Sequence, residues 1–148
     1  MHNMAMIINR RAKFDYDISD QVVAGLVLHG PEVKSLRKGS GHLKGAFVNF
    51  KDHEAWLVNA HIGPYKFAKS ESHESMRTRK LLLTKKQISK LENAKKTGLH
   101  IVPTRLITNS RFIKIELGIG RSKKQVDKRE SIKKREQDIE LGRSFKLK

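Results

Sequence analysis

The alternation of apolar and polar positions along the chain predicts mostly short strands. Residues 18–29 (ISDQVVAGLVLH) are rich in Val and Leu and predict a strand, in which Gly25 marks a bend or bulge that would let the strand curl into a barrel. Residues 43–62 alternate on either side of a polar break at 51–53 and predict a hairpin with two half-buried arms.

Two further strands are expected near the end of the patterned region. They cover LHIVPTRLIT (99–108) and FIKIELGI (112–119), and turn-favouring residues at 109–111 join them. Pro103 has no backbone N–H, so it predicts an unpaired edge or a bulge in the first of these strands.

Two helices and one long loop complete the pattern. Residues 30–39 open with Gly and Pro and close with Gly, which predicts a short helix of about two turns. Residues 84–98 predict a longer helix with Thr84 as its N-cap and lysines toward its end. Between the hairpin and this helix, residues 63–79 lose apolar periodicity and predict a surface loop.

Five or six short strands and two helices without regular alternation favour a small antiparallel barrel. The predicted fold class is mainly β with short helices, an OB-like antiparallel β-barrel with flanking helices and a basic C-terminal tail. The 148 residues fit one domain plus a tail, and we place the barrel at residues 1–120 and the tail at 121–148.

The composition of the tail differs from that of the barrel. Residues 121–148 hold 11 Lys or Arg against 5 Asp or Glu, and their few apolar positions form too thin a stripe to pack on the domain. Asp127 with Glu130 forms a start similar to a capping box. We therefore expect a tail that is disordered when free and helical when docked on a partner.

Charge narrows the class of partner. The chain has 32 Lys and Arg against 15 Asp and Glu, a net charge of +17 and a pI near 10.3, which indicates a polyanionic partner such as nucleic acid. It contains no cysteine, which suits a reducing compartment, and its longest clean apolar run, Val22–Leu28, is too short for a membrane span. We expect a cytoplasmic protein with no membrane partner.

The basic residues fall into clusters, whereas catalytic and metal-ligating patterns are missing. The seven histidines lack metal-ligand spacing, no G-x-S-x-G or phosphate-loop motif occurs, and the carboxylates are scattered among lysines. We expect no enzyme activity, no metal and no cofactor. Five clusters together predict a shape-reading RNA-binding protein. They comprise Arg10, Arg11 and Lys13; Lys34, Arg37 and Lys38; Arg77, Arg79 and Lys80; Lys85 and Lys86; and the tail.

Aromatic residues and rival functions leave alternatives open. Phe14, Tyr16 and Tyr65 could stack on bases or pack in the core or at its rim. A ribosomal protein would share the charge, the small barrel and the tail. A nuclease on an OB barrel would need a carboxylate cluster, which the sequence does not show.

Four segments carry a resemblance to a known family. NRRAKFDYDI (9–18), AGLVLHGPEVKSLRKG (24–39), TRKLLLTKKQISKL (78–91) and ELGIGRSKKQVDKRESIKKRE (116–136) closely resemble the SmpB family of SsrA-binding proteins. The resemblance implies an adaptor that binds the tRNA-like domain of transfer-messenger RNA and carries it to stalled ribosomes. We expect the protein to be a monomer. It also implies that the tail enters the empty mRNA channel and folds near the small-subunit decoding centre.

The resemblance also implies roles for individual residues. It ties Lys114 and Leu82 to transfer-messenger RNA binding; Lys114 can meet a phosphate, while Leu82 either contacts RNA or supports the surface from below. On the body, the expected RNA-binding residues are Asn9, Arg10, Arg11, Lys13, Lys34, Arg37, Lys38, Arg77, Arg79, Lys80, Leu82 and Lys114. On the tail, the expected ribosome-binding residues are Arg121, Lys123, Lys124, Asp127, Lys128, Arg129, Lys133, Lys134 and Arg135, with Asp127 as a helix cap.

The chain departs from the family pattern at four positions. Val23 stands where relatives usually have Glu, and Phe14 where many have His. Val126 replaces a bulky His or Tyr, and Thr84 replaces an Asn of some relatives while still permitting capping. These exchanges bear on RNA affinity and on base stacking, but they leave the surrounding motifs intact.

Overall fold

The computed structural model describes residues 6–65, 74–124, 129 and 132–137. Their elements are β1 (Met6–Ile8), α1 (Arg10–Asp15), β2 (Tyr16–Leu26), α2 (Gly30–Arg37), β3 (Gly41–His42), β4 (Phe47–Lys51), β5 (Glu54–Val58), β6 (His61–Ile62), β7 (Arg79–Leu82), α3 (Lys85–Lys96), β8 (His100–Ile107) and β9 (Lys114–Ser122). Seven strands form one antiparallel sheet in the order β1-β8-β9-β2-β7-β5-β4, and β3 pairs with β6 separately.

The large sheet curls on itself into the predicted OB-like barrel. β4, the last strand of the sheet, lies against β8 near its other end, and the hydrogen-bonded ladder is open between these two strands. The inward residues of the curled sheet include Leu57, Leu81, Ile115 and Leu117, all buried. Helix α3 adds the fully buried Leu91 to the same core, which fixes this helix at one end of the barrel.

The hairpin and both predicted helices are confirmed. β4 and β5 are joined by Asp52 and His53, which both have positive φ values (53° and 62°), as a two-residue hairpin turn requires. At the start of α3, Thr84 Oγ1 accepts a hydrogen bond from the Gln87 N–H (3.2 Å), and Gln87 Oε1 accepts one from the Thr84 N–H (2.9 Å). This reciprocal pair is a capping box, so Thr84 acts as the expected N-cap.

The strand irregularities agree with one sequence prediction and correct another. The register of β8 against β9 shifts between Pro103 and Arg105, as the missing N–H of Pro103 predicts. In β2 the shift lies between Ile18 and Asp20, so the expected bulge is not at Gly25. Gly25 instead pairs with strands on both sides, and a Cβ there would lie 3.3 Å from Leu82 Cβ.

Several elements were not predicted from the sequence. Helix α1 has six residues and buries only Ala12, too few for a recognisable apolar period. Strand β7 begins at Arg79, inside the segment predicted as a loop. The sequence did not indicate this strand because a charged residue fills its inward position, where the alternation requires an apolar one. At the C-terminal end, β9 continues through Arg121 and Ser122, two residues past the predicted barrel boundary, and residues 132–137 are helical.

Candidate nucleic-acid interface

Three strands bring Lys114 and Leu82 together on the outer face of the sheet. Gly25 of β2 pairs with Lys114 of β9 on one side and with Leu82 of β7 on the other. Residues directly opposite in an antiparallel pair point to the same face. We call this set the Lys114–Gly25–Leu82 row. It places an exposed cation and a leucine that is 53% exposed on either side of a residue without a side chain.

Val23 lies two residues before Gly25 on the same face of β2 and so extends the row. It is exposed and lies opposite Glu116 of β9. The Glu116 carboxylate is held within the protein, since it accepts a hydrogen bond from Thr104 Oγ1 (2.7 Å) and lies 3.2 Å from Arg105 Nε. The face next to the row is therefore apolar at Val23.

The basic residues of α1 are exposed, while Asn9 before them is a structural residue. Arg10 and Lys13 lie on the surface, and the Arg11 guanidinium lies 4.8 Å from the centre of the Phe14 ring. The Asn9 N–H donates to the Thr104 carbonyl and its Nδ2 donates to the Pro103 carbonyl, both at 2.8 Å. Asn9 thus anchors α1 to β8. Its side-chain amide is used in a hydrogen bond within the protein, so no RNA contact is needed to explain this residue.

The lysines of helix α2 lie near an aromatic ring, whereas its arginine binds a loop. Lys34 and Lys38 each place Nζ 5.4 Å from the centre of the Tyr65 ring. Arg37 donates to the carbonyls of Thr108 (3.0 Å), Ser110 (3.1 Å) and Arg111 (2.8 Å), which binds α2 to the loop between β8 and β9. Arg37 therefore has a structural role that the sequence did not indicate.

Arg79 is the clear correction among the predicted RNA contacts. Its side chain is 0% exposed, and its Nε donates to Glu32 Oε2 at 2.7 Å while Nη1 donates to the Ala60 carbonyl at 2.7 Å. Such a group cannot meet a phosphate without unfolding its surroundings, so the predicted RNA contact is wrong for Arg79. Arg77, which is partly exposed, also pairs with Glu32 (2.5 Å), and Lys80 pairs with Glu54 (3.0 Å).

The Glu32 carboxyl holds this network together. Burial raises its pKa, but the hydrogen bonds from the His29 N–H and from the two arginines outweigh burial and hold the pKa below its usual value. Glu32 is therefore ionised at neutral pH and balances the buried Arg79. It joins α2 to β7, which carries Leu82 at its outer end.

The remaining predicted residues are distributed over the surface. Lys85 and Lys86 are exposed in the first turn of α3. Asp127 and Lys128 lie outside the described residues, and so does the departure at Val126. The described tail residues that are exposed include Arg121, Lys124, Arg129, Lys133, Lys134 and Arg135.

Sequence reasoning missed one prominent surface residue. Phe112, near the end of the loop between β8 and β9, is 68% exposed, and the Arg111 guanidinium lies 5.5 Å from the centre of its ring. The available signal was an aromatic residue directly after Asn109-Ser110-Arg111, a turn-forming stretch that ends in a cation. The sequence pattern predicts Phe112 as the first residue of a strand, whereas β9 begins at Lys114.

Metal ligands and membrane-spanning helices were two further features of interest in the described part of the chain. In that part of the chain, no group of three or more His, Cys, Asp or Glu side chains could hold a metal ion. No described helix is long and apolar enough to cross a membrane. Exposed cations on several elements around a curled antiparallel sheet are instead the features of an RNA-binding protein of the OB-like class.

Comparison with known proteins identifies the family. The model of the SmpB protein family matches residues 6–147, and the chain belongs to this family. An SsrA-binding protein of Streptococcus suis is 48% identical over 93% of this chain and 90% of its own length. Similar proteins named SsrA-binding protein occur in Enterococcus faecalis (45% identical; 93% of this chain, 90% of the relative) and a Synechococcus species (45%; 95% and 93%).

A solved structure shares the fold. It is described as "tmRNA-SmpB: a journey to the center of the bacterial ribosome", and one of its chains superimposes with a TM-score of 0.69 at 39% identity, over 82% of this chain and 87% of that chain.

Proposed function

We propose that this protein is a non-enzymatic RNA-binding adaptor of the cytoplasm that binds the tRNA-like domain of transfer-messenger RNA and delivers it to stalled ribosomes. The observation that carries the proposal is the Lys114–Gly25–Leu82 row on the outer face of the barrel. Membership in the SmpB family and the names of its relatives supply the identity of the RNA.

The row has the chemistry of a shape-reading RNA contact. The Lys114 ammonium can donate a charge-assisted hydrogen bond to a phosphate. Gly25 gives Leu82 room to lie over β2, since a Cβ at Gly25 would be 3.3 Å from Leu82 Cβ and 3.4 Å from its Cδ1. Leu82 presents 53% of its surface and can lose water against a sugar or a base. These contacts recognise the form of a folded RNA, and they carry little sequence information.

The C-terminal tail has a different role in the proposal. We infer that residues 121–148 bind the mRNA channel and the decoding centre of the small subunit, where their net charge of +6 meets ribosomal RNA. Helical residues 132–137 expose Lys133, Lys134 and Arg135, which could contact phosphates on more than one side. The tail would complete its ordering only on docking, so a message already in the channel would compete with it.

A binding titration tests the proposal directly. The protein is titrated against the isolated tRNA-like domain, with a tRNA of the same length as competitor, at two salt concentrations. We expect tight binding that survives the competitor and weakens moderately with salt. Equal affinity for both RNAs with a steep salt dependence would mean that charge alone is responsible. The proposal would then give way to a general RNA-packing function, such as that of a ribosomal protein.

A further inference from the structure

The loop between β8 and β9 is held mainly by hydrogen bonds from a side chain of helix α2. The Arg37 guanidinium donates to three carbonyls of this loop, those of Thr108, Ser110 and Arg111, at 3.0, 3.1 and 2.8 Å. Within the loop, Ser110 Oγ donates to the Phe112 carbonyl at 2.6 Å. A loop bonded at three of its carbonyls loses conformational freedom, so the side chains that it presents are held in defined positions.

Phe112 is the side chain that this loop presents. At 68% it is the most exposed large hydrophobic residue in the described part of the chain. The loop buries its neighbour Ile113 in the core and leaves Phe112 on the surface, which does not explain an aromatic ring at this position. Arg111 lies 5.5 Å from the ring centre, which leaves much of the ring open beside a cation.

The ring continues the surface already proposed to bind RNA. Phe112 lies in the loop two residues before Lys114, the first residue of β9. Both residues are exposed and flank the buried Ile113, so the ring is next to the row along the chain. An aromatic face beside cations is the usual platform on which proteins stack unpaired bases, because every base has a π-face and a nearby phosphate.

We propose that Phe112, flanked by Arg111 and positioned by Arg37, is a stacking site for one unpaired nucleobase of the bound RNA. This inference rests on the proposed RNA-binding function and adds a base contact to the phosphate contact of Lys114. Arg37 is a positioning residue here: it acts on RNA through the loop.

The first test replaces the ring. Phe112→Ala should weaken binding to the tRNA-like domain roughly 5- to 150-fold, the range measured for loss of one base–aromatic stack. Phe112→Tyr should keep affinity within about threefold, since the π-face is retained. The salt dependence should be unchanged in both variants, because no phosphate contact is removed. Phe47→Ala is the matched control: another exposed phenylalanine, on β4 at the end of the sheet.

The second test separates positioning from direct contact. Arg37→Ala should increase amide hydrogen exchange at residues 108–112 and weaken binding. The double variant Arg37→Ala/Phe112→Ala should have the same affinity as the single variant with the larger loss, since both changes remove the same stack. Additive losses, or an Arg37→Ala loss that lowers the salt dependence, would overturn the positioning role and indicate that Arg37 meets phosphate itself.

Failure of this inference is distinguishable from failure of the proposed function. If wild-type protein prefers the tRNA-like domain but Phe112→Ala binds within twofold of it, the stacking site is refuted and the adaptor function stands. If wild-type protein shows no preference, the adaptor function fails. Stacking is then judged on a 12-nucleotide single-stranded RNA against its duplex, where Phe112→Ala must weaken only single-strand binding.

Discussion

Replacing Glu32 by Gln should destabilise the barrel far more than the same change at an exposed ion pair. The Glu32 carboxylate is 0% exposed and accepts from the His29 N–H (2.9 Å), from Arg77 Nη2 (2.5 Å) and from Arg79 Nε (2.7 Å). Gln keeps the shape and one acceptor oxygen, but it removes the charge and turns an N–H group toward the arginines. Arg79 would then be a buried cation without a counter-ion.

The magnitude follows from this geometry. Removing one partner of a buried ion pair costs about 3 to 5 kcal/mol, because the other charge remains out of water. Arg77 is 28% exposed and can be solvated when it loses the carboxylate, so this range is taken from the loss at Arg79 alone. For a folded unit of about this size, the melting temperature should fall by about 4 °C for each kcal/mol. We therefore expect a loss of roughly 12 to 20 °C.

Urea denaturation followed by circular dichroism measures the free energy of unfolding. Glu54→Gln is the control, because the Lys80–Glu54 pair joins neighbouring strands of the same sheet but is 39% and 43% exposed. The control should lose about 0 to 1 kcal/mol. A Glu32→Gln loss no larger than that of the control would refute the view that the buried pair joins α2 to β7.

The Glu32–Arg79 pair also predicts that the stability of the protein depends on pH. Because the pKa of folded Glu32 is lowered, its contribution to stability is present above the unfolded pKa of about 4.5 and is lost as pH falls from there toward the folded pKa. The stability difference between wild type and Glu32→Gln should therefore be constant near neutrality and shrink below about pH 4.5. A difference that stays constant through the acid range would contradict this linkage.

Three further predictions concern RNA, the ribosome and a helix cap. Lys114→Ala should weaken binding to the tRNA-like domain by about 1 to 3 kcal/mol and reduce the salt slope by about 1, measured by titration at several salt concentrations; an unchanged slope would argue against a phosphate contact. Deleting residues 125–148 should leave that binding largely intact but abolish tagging on stalled ribosomes in a reconstituted translation assay. The cut follows Lys124 because β9 runs to Ser122 and the Lys123 N–H donates to the Asp15 carbonyl (2.9 Å); loss of RNA binding on this truncation would refute the division of labour. Thr84→Ala should cost about 0.5 to 2 kcal/mol in the same urea assay, and Thr84→Ser should restore most of it.

The local signals in the sequence were sufficient for most of the fold. Strand alternation, the Thr84 cap and the missing N–H of Pro103 each act over a few residues, so their outcomes could be inferred before any tertiary contact was known. Net charge likewise identified the class of partner, because it depends on composition alone. The motifs shared with SmpB proteins supplied the specific RNA.

Only the tertiary structure decided which basic residues are available to RNA. Arg79 and Arg37 belong to the same kind of basic cluster as Lys34 and Lys38, yet the first is buried against Glu32, 47 positions away, and the second binds a loop more than 70 positions away. Such pairings depend on which strands become neighbours. The Lys114–Gly25–Leu82 row and the exposed Phe112 arise in the same way, since sheet order and register, and not spacing along the chain, set which side chains share a surface.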